Sequence, residues 1–246
     1  MRIDGAHAVI TGGGTGIGAA IACALGAEGA RVSLLGRRRE PLDSVAHALG
    51  EAAFVAPCDV TDPQALSAAM AAARHSHGRI DILVNNAGAA ATMKFAKLDF
   101  QAWRAAMAVN CDAVFLCTKA VLAEMLEAGA GRIVTIASVA GLHGVAYASA
   151  YSAAKHAAVG LMRSIALETA GTGVTANAVC PGFVATDIVE EAVRTIALRT
   201  ARSEDEARGE LARMNPSGRI IAPEEVAATV VQLIQSTRNG EAVEIA

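Results

Sequence analysis

Short apolar runs alternate with longer segments of helical character along the whole chain. The apolar runs, rich in Val, Ile and Leu, predict strands at 6–11, 31–35, 53–57, 81–85, 132–137, 174–179 and 241–245. The segments between them predict helices at 16–28, 39–49, 63–76, 100–128, 150–170 and 223–235. Strands that alternate with helices are typical of a parallel sheet covered on both faces. The pattern therefore predicts an α/β fold built as a three-layer, doubly wound parallel sheet.

No linker, repeat or low-complexity tract interrupts this alternation, so we expect one domain over residues 1–246. Residues 187–213 depart from the rhythm, because they follow Pro181-Gly182 and carry many charges. We expect this segment to form one or two helices that act as a mobile lid over a binding site.

Composition narrows the class of protein. Apolar residues make up 53% of the chain but aromatic residues only 3%, which indicates an aliphatic, alanine-rich core and apolar subunit interfaces. A net charge of -3 without a basic block argues against nucleic-acid partners and anionic membranes. No run of 18 apolar residues and no signal peptide is recognised, and the five cysteines lack metal-like spacing. These features favour a cytoplasmic protein with reduced thiols, no metal and no membrane partner.

A glycine-rich turn joins the first predicted strand to the first predicted helix. Glycine permits positive φ and close approach of a ligand, and a helix start offers free N–H groups to a pyrophosphate. The spacing is Gly-x-x-x-Gly-x-Gly rather than the common Gly-x-Gly-x-x-Gly. Taken alone, such a turn is also compatible with a tight connection that binds nothing. The candidate nucleotide-binding residues are Gly12, Gly14, Thr15, Gly16, Ile17 and Gly18.

A second pattern carries candidate acid–base chemistry. Ser138 stands thirteen residues before Tyr151, and Lys155 follows one helical turn later. A step of four residues places the phenol and the ammonium on one helix face. A fixed cation beside a phenol is expected to lower its pKa from about 10 towards neutrality. Ser138 follows a predicted strand, so its hydroxyl can donate to a carbonyl oxygen that is gaining negative charge.

These motifs occur in the order and at the spacing of the short-chain dehydrogenase/reductase family, which the chain resembles over nearly its whole length. The matching residues are Thr11 to Gly18, Asp59, Asn85 to Gly88, Asn110, Ser138, Tyr151, Lys155, Pro181, Gly182 and Thr186. The resemblance implies a Rossmann-like oxidoreductase that transfers a hydride between NAD(P)H and a carbonyl or secondary alcohol. It also implies that Asn110 joins Ser138, Tyr151 and Lys155 as a catalytic residue, by kinking its helix and anchoring a water. Without the resemblance, Asn110 is only a mid-helix asparagine.

The end of the second predicted strand bears on cofactor choice. An acidic residue at this point binds the adenosine ribose hydroxyls and selects NAD, but the chain has Gly36-Arg37-Arg38 there. A 2′-phosphate finds space at Gly36 and a guanidinium at Arg37. The sequence therefore predicts NADP(H) over NAD(H). The alternative is that the arginines only solvate the next helix start, and Thr15 stands where NADP-preferring relatives often have a second basic residue.

The resemblance implies further cofactor contacts along the carboxyl ends of the strands. Asp59 and Val60 are expected at the adenine, Asn85, Asn86, Ala87 and Gly88 along the ribose and diphosphate, Tyr151 and Lys155 at the nicotinamide ribose, and Pro181, Gly182, Val184 and Thr186 at the nicotinamide.

The expected substrate is a 3-oxoacyl-type or cyclic ketone, because residues 177–184 are similar to the matching stretch of aromatic polyketide ketoreductases. One alternative is an NAD-dependent catabolic alcohol or 3-hydroxyacyl-CoA dehydrogenase. Another is a non-catalytic dinucleotide-binding redox sensor, against which the complete Ser/Tyr/Lys set argues. The resemblance also implies a homotetramer. An acyl carrier protein partner is doubtful, because Gly129 and Thr172 occupy positions where carrier-docking relatives have arginines.

Overall fold

A seven-stranded parallel sheet forms the centre of the computed structural model, which describes residues 1–246. The strands are β1 His7–Thr11, β2 Arg31–Gly36, β3 Ala53–Pro57, β4 Ile82–Asn85, β5 Gly131–Ile136, β6 Val174–Pro181 and β7 Ala242–Ile245. Their order across the sheet is β3-β2-β1-β4-β5-β6-β7. The predicted doubly wound α/β fold is confirmed, since the strand order reverses between β1 and β4.

Helices cover both faces of the sheet. They are α1 Gly16–Ala27, α2 Arg39–Leu49, α3 Pro63–His77, α4 Phe100–Met107, α5 Ala113–Glu127, α6 Ser149–Glu168, α7 Asp187–Thr200, α8 Glu204–Met214 and α9 Pro223–Gln235. One apolar core lies between the sheet and α1, α2 and α9, and another lies between the sheet and α3, α5 and α6. Both cores are mainly aliphatic, which agrees with the low aromatic content.

The helix predicted at 100–128 is interrupted. Residues 108–112 form one turn of π-helix between α4 and α5, with Asn110 fully buried at its centre. The continuous segment Phe100–Glu127 is 28 residues long and is apolar enough to cross a membrane by length and composition. Searching the sequence for apolar runs did not reveal this hydropathy, because the segment contains no uninterrupted run of 18 apolar residues. The α5 part of this segment packs on β4 and β5 and contributes apolar side chains to one of the two cores.

The segment 187–213, for which the sequence predicts one or two helices, contains two, namely α7 and most of α8. They pack on each other through a small core of their own, formed by Val189, Val193, Ala207 and Leu211. Arg208 adds a bidentate ion pair to Glu190 across the two helices, with N–O distances of 2.6 and 2.7 Å. The hairpin therefore has internal contacts that hold it together as a unit. Its mobility stays a prediction.

Candidate active site

The glycine-rich turn after β1 packs too tightly for side chains. Gly12 has φ of 65°, in the left-handed region, and a Cβ on Gly18 would overlap the Gly12 carbonyl oxygen. A Cβ on Gly16 would lie 2.9 Å from Cγ2 of Thr186. The turn ends at the start of α1, whose first residue is Gly16. A narrow backbone cradle thus leads to a helix N-terminus, which suits a diphosphate.

Thr11 and Asn86 hold this turn against the neighbouring strand β4. The Thr11 hydroxyl accepts hydrogen bonds from the backbone N–H groups of Asn86 (2.9 Å) and Ala87 (3.0 Å). In return, the Asn86 amide donates to the carbonyl oxygens of Thr11 (3.0 Å) and Gly12 (3.1 Å). Asn86 therefore shapes the cradle through internal bonds. The carboxyl ends of the parallel strands form one edge of the sheet, called the carboxyl rim below. The side chain of Asn85 does not point to this rim, because its buried amide donates to Thr118 on α5.

The arginines after β2 are available for a ligand. Arg37 and Arg38 are exposed, and neither forms an ion pair, whereas the next residue, Arg39, pairs with Asp43 at 3.3 Å. Asp59, after β3, accepts two hydrogen bonds from Thr61, and these together with nearby Arg37 lower the pKa of its carboxyl. Val60 is buried beside it.

Lys155 lies buried beneath the opposite part of the rim. Its ammonium donates to the carbonyl oxygen of Ile136 at 2.8 Å and lies 5.7 Å from the centre of the Tyr151 ring. Burial lowers the pKa of Lys155 to about 8. At neutral pH the group is therefore mostly a cation, although burial has made its proton easier to lose.

Lys155 is not among the groups that shift the pKa of Tyr151 in this structure, so the lowering expected from the sequence stays a prediction. Burial of the phenol raises its pKa, and the neighbouring Ser138 hydroxyl partly offsets that rise. The lysine contributes little because it is held by Ile136 rather than by the phenol oxygen. Ser138 is 9% exposed, and its hydroxyl accepts from the Ala140 N–H at 3.1 Å, which leaves its own proton free to donate.

Asn110 reaches the same area from the π-helical turn. Its amide donates to the carbonyl oxygens of Ala89 (2.9 Å) and Ala106 (3.0 Å). A Cβ on Gly88 would lie 2.8 Å from the Asn110 amide oxygen and 3.4 Å from the Lys155 nitrogen. Gly88 therefore lets asparagine and lysine approach each other. π-Helical turns recur at functional sites, and here the turn moves Asn110 towards the rim.

The segment after β6 closes the site. Pro181 ends the strand, Gly182 donates its N–H to Ile245 at 2.8 Å, and Val184 is buried in a bridge with Ile221. Thr186 occupies the N-cap position of α7, its hydroxyl donates to the Val184 carbonyl oxygen at 3.2 Å, and its Cγ2 lies close to Gly16. The structure therefore gathers the candidate residues at one edge of the sheet, and their catalytic and binding roles stay predictions.

Sequence reasoning missed two groups at the site, because neither belongs to a recognisable motif. They are the Ile136 carbonyl, which accepts from Lys155, and Asn215, which bonds Phe183.

Comparison with known proteins agrees with this architecture. The model of the family described as short chain dehydrogenase matches residues 6–197. The chain belongs to the short-chain dehydrogenase family. It is 43% identical over 232 residues to granaticin polyketide synthase putative ketoacyl reductase 1 of Streptomyces violaceoruber, covering 92% of this chain and 85% of that protein. It is 38% identical over 239 residues to D-threitol dehydrogenase of Mycolicibacterium smegmatis, covering 95% and 87%.

A crystal structure of a variant of actinorhodin polyketide ketoreductase with NADPH superposes with a TM-score of 0.94 at 37% identity, covering 100% of this chain and 97% of that one. Family and fold are thus confirmed. The short-chain dehydrogenase is an NAD(P)-dependent oxidoreductase that acts on a ketone or secondary alcohol.

Proposed function

We propose that this short-chain dehydrogenase is an NADP(H)-dependent ketoreductase whose substrate is a 3-oxoacyl-CoA-type or cyclic ketone. The observation that carries the proposal is the meeting of Ser138, Tyr151 and buried Lys155 at the same rim as the glycine cradle and two unpaired arginines. A binding protein without chemistry does not require the phenol. This arrangement therefore argues against a pure redox sensor.

The residues present fit a dinucleotide. A Cβ at Gly12, Gly16 or Gly18 would collide with Asn86, Thr186 or the Gly12 carbonyl oxygen, so the cradle forms only with glycine at these positions. The N-terminus of α1 favours the charge of a diphosphate there. Asp59 and Val60 would hold the adenine, and Ala87 and Gly88 would border the ribose and diphosphate. Gly182, Val184 and Thr186 would hold the nicotinamide.

When bound, NADPH supplies the hydride for reduction of the carbonyl carbon. Ser138 donates a hydrogen bond to the substrate oxygen while Tyr151 transfers its phenolic proton to it. The positive charge of Lys155 favours the phenolate that remains, and Asn110 fixes the loop beside the lysine through Ala89. In the oxidative direction the same phenol accepts the proton of the alcohol.

Preference for NADP(H) rests on charge and space after β2. No carboxylate competes at Gly36, and Arg37 is free to form a bidentate pair with a 2′-phosphate. A charge-assisted bond contributes about 1.5–3 kcal/mol, or roughly tenfold to hundredfold discrimination. The NADPH in the structure of the related ketoreductase supports the same preference.

The substrate class follows the relatives with ketoacyl reductase names. Gly129 and Thr172 adjoin in the fold, since a Cβ on Gly129 would lie 3.8 Å from the Thr172 carbonyl oxygen. Neither residue carries a charge, so this place lacks the pair of arginines that carrier-docking relatives have there. We accordingly propose a CoA ester or a free ketone rather than a substrate carried by acyl carrier protein. The D-threitol dehydrogenase relative keeps an NAD-dependent sugar-alcohol dehydrogenase as the second candidate.

We further propose a cytoplasmic homotetramer. Several large apolar side chains on α5 and α6 are exposed in the single chain, namely Phe115, Leu126 and Leu167. On α6, Gly160 is exposed with open space around it, which permits close approach of a second helix. Light scattering at micromolar concentration is expected to give the mass of four chains. A stable monomer would contradict this assembly.

The cofactor assignment is tested by the dissociation constants of NADPH and NADH, measured by fluorescence titration. The wild type is expected to bind NADPH at least tenfold more tightly. In the double variant Gly36→Asp with Arg37→Ala the preference is expected to reverse, and a Cβ at Gly36 meets Leu42 only at 3.4 Å, so the change fits. Arg39→Ala is the matched control, because Arg39 already pairs with Asp43. Equal binding of both cofactors to the wild type would overturn the assignment.

The reaction class is tested by following NADPH oxidation with 3-oxoacyl-CoA esters and cyclic ketones, and NAD⁺ reduction with sugar alcohols. Turnover with ketones and NADPH supports the ketoreductase. Turnover confined to sugar alcohols and NAD⁺ would establish the second candidate. Tight cofactor binding without any turnover would favour the sensor.

A further inference from the structure

Asn215, the residue that follows α8, is buried against the segment after β6, although it lies more than 30 residues from Pro181-Gly182 in the sequence. It is 3% exposed, and its side-chain amide makes three hydrogen bonds to backbone groups. The amide oxygen accepts from the N–H of Phe183 at 2.9 Å, and the amide nitrogen donates to the carbonyl of the same residue at 3.0 Å. The amide thus pairs with both backbone groups of Phe183, as a neighbouring strand does.

The second proton of the same amide nitrogen is also used. It is donated to the carbonyl oxygen of Arg219 at 2.7 Å. The side chain therefore links the segment after α8 to the segment after β6. Each polar atom of the amide has a partner, so the amide orientation is fixed by the surrounding donors and acceptors.

The fit against β6 is close. A Cβ on Gly182 would overlap the amide oxygen of Asn215, so the approach requires glycine at that position. Phe183, held by Asn215, is followed directly by Val184 and Thr186, the residues proposed to hold the nicotinamide. A second contact, the bridge between Val184 and Ile221, continues the pairing on the same side.

The hairpin of α7 and α8 begins and ends at this place. It starts after Thr186 and finishes at Met214, so both of its ends are attached to the turn that Asn215 holds. Between its ends the hairpin is held by its own core and by the Arg208–Glu190 ion pair. The hairpin is thus joined to the rest of the chain at its two ends, and Asn215 connects the segments at those ends to each other.

We propose that Asn215 is a positioning residue that couples the α7–α8 hairpin to the cofactor-facing turn 182–186. The amide makes the position of the hairpin depend on the position of the turn. Occupation of the turn by NADPH therefore orders the hairpin over the substrate, and the hairpin in turn favours NADPH, because such coupling is reciprocal. The inference rests on the proposed function for the identity of the ligand, and on the hydrogen bonds alone for the connection itself.

The test uses Asn215→Asp, which keeps the size of the side chain and removes both donors. An oxygen of the new carboxylate then faces the carbonyls of Phe183 and Arg219. Asn215→Ala removes the same bonds without adding charge and serves if the first variant folds poorly. Asn177→Asp is the matched control, since the Asn177 amide is also buried and bonds the backbone of Arg238 and Glu241 on another side of β6.

The readout is amide hydrogen exchange in 187–213, measured on the full-length protein with and without saturating NADPH. In the wild type and in Asn177→Asp, NADPH is expected to slow exchange in the hairpin at least tenfold. In both Asn215 variants that protection is expected to fall below twofold, and exchange without NADPH is expected to rise at least tenfold. The kcat/KM for ketone reduction is expected to fall at least tenfold in Asn215→Asp and to recover in part at lower pH, where a protonated carboxyl can again donate.

Unchanged hairpin exchange in both Asn215 variants, or equal effects in Asn177→Asp, would overturn the proposal. If NADPH fails to bind the wild type, the proposed function is wrong, and the exchange rates without ligand then decide whether Asn215 holds the hairpin.

Discussion

The two rims of the sheet use similar polar residues in opposite ways. At the amino rim, the end of the sheet where the strands begin, the side chains of Arg132 and His7 bond to other side chains or to the backbone. Arg132, 7% exposed, donates to the carbonyl oxygens of Ile234, Gly131 and Gly173. His7 contacts the Gly78 carbonyl at 2.9 Å and the Ser33 hydroxyl at 2.8 Å, and its backbone N–H donates to Asp81.

At the carboxyl rim several polar groups are left with spare donors. Arg37 and Arg38 form no ion pair, and Thr15 starts α1 without a side-chain cap bond. The Ser138 hydroxyl oxygen accepts a hydrogen bond from Ala140 and its proton remains available to a ligand. Here internal bonds fix the backbone, as in the pairing of Thr11 with Asn86, and leave side chains available.

This contrast separates the polar residues that stabilise the fold from those that are available to bind a ligand. A buried polar group that is satisfied internally contributes to the fold, whereas a group at the rim with unused donors is available to a ligand. Substitutions at the carboxyl rim are therefore expected to reduce activity more than stability. Those at the amino rim are expected to do the reverse.

The largest combined loss of turnover and cofactor binding at the carboxyl rim is expected from Lys155→Met. We expect kcat to fall about a thousandfold, equivalent to about 4 kcal/mol of transition-state stabilisation, and NADPH to bind about tenfold more weakly. The melting temperature is expected to hold or rise, because the substitution removes a buried cation without a carboxylate partner. Steady-state kinetics and thermal melts check this. Lys119→Met, on the exposed face of α5 over Phe115, is the control and is expected to keep full kcat. A large loss of stability with normal kcat would place Lys155 with the folding residues.

An intermediate effect is expected at the amino rim on acidification. Burial lowers the pKa values of His7 and His77, whose rings meet edge to face with centres 5.3 Å apart. The unfolded chain then binds more protons below about pH 6.5, so stability present at neutral pH is lost as the pH falls. The melting temperature is expected to drop by at least about 3 °C between pH 7 and pH 5.

The variant His77→Phe sharpens this comparison. The His77 ring packs against Phe54, and its Nε2 is buried without a partner, so a phenyl ring removes an unsatisfied polar atom from the site. Its melting temperature is expected to depend less on pH than that of the wild type, with activity at pH 7 unchanged. An identical pH dependence of the melting temperature in both proteins would show that His77 does not contribute to the loss of stability at low pH.

The smallest expected effect concerns strain beside the site. Tyr147 is 61% exposed and has φ of 64°, a conformation that costs a non-glycine residue about 1–2 kcal/mol. Asparagine tolerates this region better, so Tyr147→Asn is expected to stabilise the protein by about 1 kcal/mol in denaturant unfolding. Ala201→Gly, at the end of α7 with φ of 55°, is the matched relief of strain away from Tyr151. If Tyr147→Asn destabilises the protein while Ala201→Gly stabilises it, the contacts of the Tyr147 side chain contribute more to the free energy of unfolding than its strained backbone costs.

Much of the fold could be predicted because its signals are local. Each strand is a short aliphatic run, and several helices, such as α1, α2, α3 and α9, start or end near a glycine or proline, so their predicted bounds differ from the observed ones by few residues. The cofactor cradle and the order of Ser138, Tyr151 and Lys155 are also local patterns. Their gathering at one rim follows from parallel strands alone.

What could not be predicted depends on partners distant in sequence. The π-helical turn at Asn110 accompanies its bonds to Ala89, 21 residues earlier. The choice between Asn85 and Asn86 as the residue that holds the cradle follows from strand alternation, which turns Asn85 towards α5. The raised pKa of Tyr151 comes from burial, and sequence gives no measure of it.

The central claim is that the carboxyl rim performs proton transfer through Tyr151. The most direct measurement is the paired determination of kcat for ketone reduction and of the NADPH dissociation constant in Tyr151→Phe. We expect kcat to fall at least a thousandfold and the dissociation constant to stay within threefold, because only the phenolic proton is removed. A kcat within a few-fold of the wild type would contradict the account.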